Sequence, residues 1–207
     1  EKEISNLDWK ALDIDFVIES TGKYKTFEEI NKHILAGAKK VILSAPSEVD
    51  EIKTVVIGVN DSILDGSETI ISNASCTTNN AAPMIKIIND LCGIEQAYIT
   101  TVHSYTTDQS LHDQPHKDLR RARGAAQSIV PTTTGAAKAL TKIFPEFENQ
   151  IGGCGIRVPV PDGSLTDITL NVKRQVSNEE KNAAFKKAAE NNLKGILEYT
   201  EDPIVSV

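Results

Sequence analysis

The stretch Thr69-Ile70-Ile71-Ser72-Asn73-Ala74-Ser75-Cys76-Thr77-Thr78-Asn79 decides how the chain is read. Thr69 to Ser72 has the β-branched, apolar character of a strand. From Cys76 onward, Ala81, Ile85, Ile88 and Leu91 or Cys92 recur at three- and four-residue steps. That is the apolar stripe of a helix, and Gly93 closes it. Pro83 suits only the first turns of a helix, which puts the helix start close to Cys76. A strand therefore hands over to a helix at a cysteine flanked by small polar residues.

Upstream, the same alternation repeats. Ile14 to Ile18 reads as a buried strand ending in the turn Glu19-Ser20-Thr21-Gly22. Thr26-Phe27-Glu28-Glu29 is a capping box that opens a helix through Ile30, Ile34 and Leu35, stopped at Gly37. Lys40 to Ser44, Thr54 to Val59 and Thr69 to Ser72 follow as strands. Strands alternating with helices predict an α/β unit with a largely parallel sheet.

Downstream the character changes. Ala97 to Thr106 is one long strand, followed by a polar loop from Thr107 to about Ala126 with a basic knot at Lys117-Asp118-Leu119-Arg120-Arg121-Ala122-Arg123. Thr132-Thr133-Thr134-Gly135 leads a short helix to Phe144. Gly155 to Pro159 and Leu165 to Lys173 alternate as half-buried strands do. Ser177-Asn178-Glu179-Glu180 is a second capping box, opening a helix to about Leu193. Pro203 to Val207 reads as a strand. The expected organisation is α/β over residues 1–75 and α+β over 76–207, the second with a mostly antiparallel sheet and helices.

Composition narrows the function. The chain has 207 residues, 22 Lys and Arg against 29 Asp and Glu, and a net charge of −7. An acidic chain is a poor general partner for nucleic acid or anionic membranes, so neither is expected. No apolar run approaches the ~20 residues of a membrane-spanning helix. Three cysteines without close pairing, and without Cys-x-x-Cys, predict neither a disulfide framework nor a zinc site. A reactive cysteine in a cytoplasmic enzyme fits better. The start Glu1-Lys2-Glu3 lacks a signal-peptide core, and both ends look cut, so the chain reads as an internal piece of a longer protein. Its glycines form no Gly-x-Gly-x-x-Gly fingerprint.

Cys76 is the first candidate for chemistry. A thiol at a helix N-terminus meets unpaired N–H groups and the positive end of the dipole, which activate it as a nucleophile. A small buried hydrophobe is the alternative reading. Cys92 and Cys154 read as structural. His103, near the end of its strand, is a candidate base or a packing residue, and His33, His112 and His116 read as surface residues. Thr77, Thr106, Thr134 and Gly135 near helix starts suit anions. Arg121 and Arg157 offer bidentate contacts to phosphate. Caps, strand fillers and surface ion pairs account for each of these taken singly.

In combination they resemble a known family. Ser72-Asn73-Ala74-Ser75-Cys76-Thr77-Thr78-Asn79, Thr101-Val102-His103-Ser104-Tyr105-Thr106, Pro115 to Arg123, Pro131 to Lys138, and Arg157-Val158-Pro159 occur in the order and spacing of phosphorylating glyceraldehyde-3-phosphate dehydrogenases. Glu19-Ser20-Thr21-Gly22 and Ser44-Ala45-Pro46 match earlier segments. The resemblance covers essentially the whole chain. Asn80 stands where the family often has a second cysteine, and Thr107 where Asn is common.

The resemblance implies a partial Rossmann-type NAD-binding domain over 1–75, without its glycine motif, and a nearly whole catalytic domain over 76–207. It implies oxidation of glyceraldehyde 3-phosphate with NAD and inorganic phosphate through a thiohemiacetal and a thioester, in a cytoplasmic homotetramer without a metal. Cys76 is then the nucleophile and His103 the base. Ser75 and Thr77 flank the substrate site, and Thr106 and Arg157 resemble the substrate's phosphate pocket. Thr134, Gly135 and Arg121 resemble the neighbouring anion subsites. Lys2, Thr21, Gly22 and Ser44 match NAD-contacting stretches. NAD against NADP stays open. So do an erythrose-4-phosphate dehydrogenase-like activity and a catalytically silent interaction module; a cysteine hydrolase ranks last.

Overall fold

Thr26 starts the first helix as its sequence dictates. Its hydroxyl accepts the Glu29 N–H, and the Glu29 carboxylate accepts the Thr26 N–H in return. The computed structural model describes residues 3–206. They fall into two compact units, Glu1–Pro83 and Met84–Val207.

In the first unit, strands β1 (Phe16–Glu19), β2 (Lys40–Leu43), β3 (Lys53–Thr54) and β4 (Ile70–Ser72) form a wholly parallel sheet in the order β1-β2-β4-β3. Helix α1 (Phe27–Leu35) supplies the crossover from β1 to β2. Val17, Ile30, Val41, Leu43, Ile52 and Ile70 make the core. Glu19, Leu43 and Ser72 are in register, so three strand ends stand in a row. Helix α2 (Cys76–Cys92) begins beside that row.

Three local expectations need correction here. The strand expected over Thr54 to Val59 is only Lys53–Thr54. Gly58 has a φ of +77°, and Asn60 Oδ1 accepts the Val56 N–H at 2.8 Å while its amide donates to the Thr54 carbonyl at 3.0 Å, which turns the chain out of the sheet. Pro83 lies inside α2, beyond its first turns, although the helix does start at Cys76. His33 is not a surface residue; it is 4% exposed.

In the second unit, β5 (Ile94–Ser104), β6 (Val130–Thr132), β7 (Ile151–Val158) and β8 (Ser164–Val172) form a sheet in the order β6-β7-β5-β8. The β5–β8 and β6–β7 pairings are antiparallel, and β5–β7 is parallel. Helix α3 (Ala136–Ile143) packs on β7. Helix α4 (Asn178–Glu190) opens on the Ser177/Glu180 capping box, and Ala188 and Leu193 pack with Ile87. Residues 203–206 are not in a strand, contrary to the expectation for the chain end. The chain is thus α/β in its first unit and α+β in its second.

Candidate active site

In an open parallel sheet, ligands gather at the carboxyl ends of the strands. The first unit puts Thr21 and Gly22 after β1, Ser44 after β2, and Ser75, Cys76 and Thr77 after β4. The Ser44 N–H donates to the Glu19 carbonyl, and the Asn73 N–H to the Leu43 carbonyl, so these turns adjoin one another. Thr21, Gly22 and Ser44 are exposed, and Lys2 lies outside the described residues.

The launch of α2 is tightly built. Ser72 Oγ donates to the Ala45 carbonyl at 2.6 Å and accepts the Ala74 N–H at 3.1 Å. Ala74 is buried and left-handed, with a φ of +57°. That conformation is uncommon for a residue with a Cβ and stores strain where the chain must turn sharply. Ser75 then caps the helix, its Oγ accepting the Thr78 N–H at 3.1 Å. Cys76 follows as the first helical residue and is exposed, while Thr77 is buried. Cys92 is buried and Cys154 half-buried.

The second unit gathers the phosphate-type residues. His103 and Arg157 are register partners on β5 and β7 and so share a face. Arg157 Nη1 lies 2.5 Å from His103 Nδ1 and donates to the Ser104 carbonyl at 3.0 Å. Arg121 Nη1 donates to Asp108 Oδ2 at 2.6 Å, and its Nη2 donates to Thr132 Oγ1 at 2.7 Å. Arg157 Nη2 is 4.0 Å from the same Asp108 oxygen, and the Thr106 hydroxyl donates to the Asp108 carboxylate. Three expected anion-binding residues, Thr106, Arg121 and Arg157, thus meet on one carboxylate.

Sequence reading missed Asp108 and Thr132. Asp108 carries a signal, since it stands two residues after Thr106 in a polar loop; Thr132 carries none beyond its place in a threonine run ahead of a helix. Asp118 steadies the basic knot from within. The Arg120 N–H chiefly, with the Arg121 N–H and guanidinium, holds its carboxyl below the usual carboxylate range.

Thr134 and Gly135 lead into α3. Thr134 Oγ1 accepts the Ala136 N–H at 3.2 Å, and a Cβ at Gly135 would meet nothing within 4 Å. Thr134 packs over Gly153 of β7, and Thr132 over Gly155, where a Cβ would come within 3.2 Å of the Thr132 methyl. Arg157 continues that row on the same face of β7. Among the described residues, no group of three or more His, Cys, Asp or Glu side chains is placed to hold a metal ion. Among the described residues, too, no helix is long and apolar enough to cross a membrane.

Residues 75–207 match the family model for the glyceraldehyde 3-phosphate dehydrogenase C-terminal domain. The chain belongs to the glyceraldehyde 3-phosphate dehydrogenase family. It is 52% identical over 207 residues to glyceraldehyde-3-phosphate dehydrogenase 2 of Streptomyces avermitilis, all of this chain and 62% of that protein. It is 55% identical over 200 residues to the glyceraldehyde-3-phosphate dehydrogenase of Mycobacterium avium, covering 97% of this chain and 59% of the relative. The Mycobacterium tuberculosis H37Rv enzyme is 54% identical over the same 200-residue length. The chain therefore spans about three fifths of the length of these family members.

Proposed function

We propose that the chain carries the nucleophile, base and phosphate sites of an NAD-dependent, phosphorylating oxidation of glyceraldehyde 3-phosphate. The observation that carries this reading is the convergence of Arg121, Arg157 and Thr106 on Asp108, beside His103. Two guanidinium groups on one oxygen of a carboxylate and a hydroxyl on the other form a site that a phosphate dianion would fill.

Cys76 Sγ is the atom that bonds to the aldehyde carbon. The Ser75 cap and the strained Ala74 fix the start of α2, so the sulfur sits at the positive end of a helix dipole. The Cys76 N–H would donate to the oxygen that gains charge as the carbonyl becomes tetrahedral. His103 takes the proton that the reacting thiol or hydroxyl gives up. Arg157 and Thr106 hold the substrate's own phosphate, while Arg121, Thr134 and Gly135 receive the inorganic phosphate. That phosphate attacks the acyl carbon and expels Cys76 Sγ.

The carboxyl edge of the parallel sheet fits a dinucleotide. Gly22 has a φ of +71° and open space where a Cβ would stand, and Ser44 is exposed beside it. When bound there, NAD supplies the two-electron acceptor for the oxidation. The outer face of the second sheet supports a homo-oligomer of the tetrameric kind. Tyr98, Thr100 and Val102 share it with Ile156 and Leu165, and Tyr98 and Leu165 are 51% and 61% exposed. A cytoplasmic setting suits three cysteines that form no disulfide.

Cys76→Ser in the protein that carries this chain tests the reading. NADH formation from glyceraldehyde 3-phosphate should disappear, and wild-type turnover should require inorganic phosphate. Persistence of near-normal turnover in Cys76→Ser would refute it.

A further inference from the structure

Behind the first strand end lies a buried polar chain that the proposed reaction does not use. Glu19 closes β1 and is 3% exposed; His33, on α1, is 4% exposed. Trp9 Nε1 lies 3.0 Å from His33 Nδ1, and His33 Nε2 lies 3.0 Å from Glu19 Oε2. The other carboxylate oxygen, Glu19 Oε1, accepts the Thr21 N–H at 2.7 Å and also the Thr21 hydroxyl.

The direction of each bond follows from the groups. An indole N–H only donates, so His33 Nδ1 must accept. The ring proton then sits on Nε2 and donates to Glu19. Glu19 receives three donors on two oxygens, which is how a carboxylate survives burial. Burial pushes its carboxyl up, but the bonds from Thr21 and His33 outweigh this and hold it below the usual carboxylate range. Thr21 Oγ1 in turn accepts the Lys23 N–H at 3.3 Å. The Thr21 hydroxyl is thus spent inside the turn, while Gly22, at +71° with open space beyond it, is the point facing outward.

We infer that Trp9, His33 and Glu19 are positioning residues that hold the turn Ser20-Thr21-Gly22 in its ligand-ready shape, with Thr21 acting as the strut and Gly22 offering the backbone contact. The inference rests on the reading of this turn as part of the cofactor site. Glu19 holds the turn from β1, His33 fixes the carboxylate from α1, and the sole tryptophan of the chain sets the His33 tautomer.

Hydrogen exchange of the Thr21 amide, followed by NMR on the purified chain, tests it. The Val41 and Leu43 amides of β2 report whether the unit stays folded. Glu19→Gln offers one acceptor to three donors, so Thr21 should exchange on the order of tenfold faster. His33→Leu should do the same, and His33→Gln, which keeps a donor near the Nε2 position, should restore most of the protection. If His33→Leu unfolds the unit, Trp9→Phe removes the tautomer-fixing donor while keeping an aromatic ring, and should loosen Thr21 without disturbing β2. Unchanged Thr21 exchange in the folded variants overturns the inference. NAD titration separates the two layers. If the variants loosen Thr21 but NAD shifts no resonance of the turn, the relay stands and the cofactor assignment falls. If NAD shifts Gly22 with equal affinity in wild type and every variant, the assignment stands and the inference falls.

Discussion

Arg157 Nη1 approaches His103 Nδ1 to 2.5 Å, while Nδ1 also lies 2.8 Å from the Ser104 carbonyl oxygen. A guanidinium only donates and a carbonyl oxygen only accepts, so Nδ1 serves one of the two at a time: it accepts from Arg157 with the ring proton on Nε2, or donates to Ser104 with the proton on Nδ1. A phosphate that draws Arg157 away would free Nδ1 to take the proton and donate it to Ser104. Nε2 would then carry a lone pair, the form a base needs.

The first prediction concerns this pair. Arg157→Leu should move the His103 proton to Nδ1, visible in the ring nitrogen chemical shifts. It also removes a charge-assisted contact to phosphate, about 1.5–3 kcal/mol. The KM for glyceraldehyde 3-phosphate should rise roughly ten- to hundredfold in steady-state kinetics. Unchanged nitrogen shifts would count against the tautomer argument, and an unchanged KM against the phosphate assignment.

The second concerns thiol reactivity. Cys76 is exposed at the start of α2, Cys154 is half-buried and Cys92 buried. Iodoacetamide should therefore label Cys76 first and Cys92 last, as read by mass spectrometry of peptides from a time course. Labelling of Cys154 at the rate of Cys76 would contradict the proposed role of the helix start.

The third concerns the strained turn. A β-branched side chain at the buried, left-handed Ala74 adds steric conflict to an already unfavourable φ. Ala74→Val should cost roughly 1–3 kcal/mol in urea unfolding. Ala74→Gly, which relaxes the same position, should stay folded and loosen the start of α2 instead. Equal stability of the Val variant and wild type would mean that the strain is illusory.

The fourth is a pH dependence. Glu19 binds a proton more weakly in the folded unit than its ordinary value of 4.5 describes, despite burial, because Thr21 and His33 bond to its ionised form. Its contribution to stability is complete above that value and is lost as pH falls through and below it. Denaturant midpoints of the first unit should drop on acidification below about pH 4.5, and Glu19→Gln should flatten that drop. A wild-type midpoint that rises on acidification would reverse the sign and defeat the argument.

What the sequence made legible was local or periodic. The capping boxes at Thr26 and Ser177 form as read, because each is completed within four residues. The start of α2 at Cys76 was legible for a partly wrong reason, since Pro83 lies deeper in the helix than its usual place. His33 was misread because histidine is polar, yet it stands three residues after Ile30 and one before Ile34, on the same helical stripe. The partners that explain it, Trp9 and Glu19, are brought near by the fold. Asp108 escaped for the same reason. Its meaning comes from Arg121, which lies in the same loop and is held by Thr132 of β6, and from Arg157, which is distant in sequence and arrives only when β5 and β7 pair.

The row formed by Glu19, Leu43 and Ser72 has a consequence for engineering. Neighbouring strands are ~4.8 Å apart, so the turns bearing Gly22, Ser44 and Cys76 are graduations on a fixed scale about 10 Å long. A one-residue insertion in β2 would carry Ser44 off its mark and swap the two faces of everything beyond it in that strand. The loop from Thr107 to Ala126 keeps no strand spacing; it is pinned instead at Asp108, Ser110, Asp113, Asp118 and Arg121. Libraries that vary length should therefore spare the short strands of the first unit and sample the loop between those anchors.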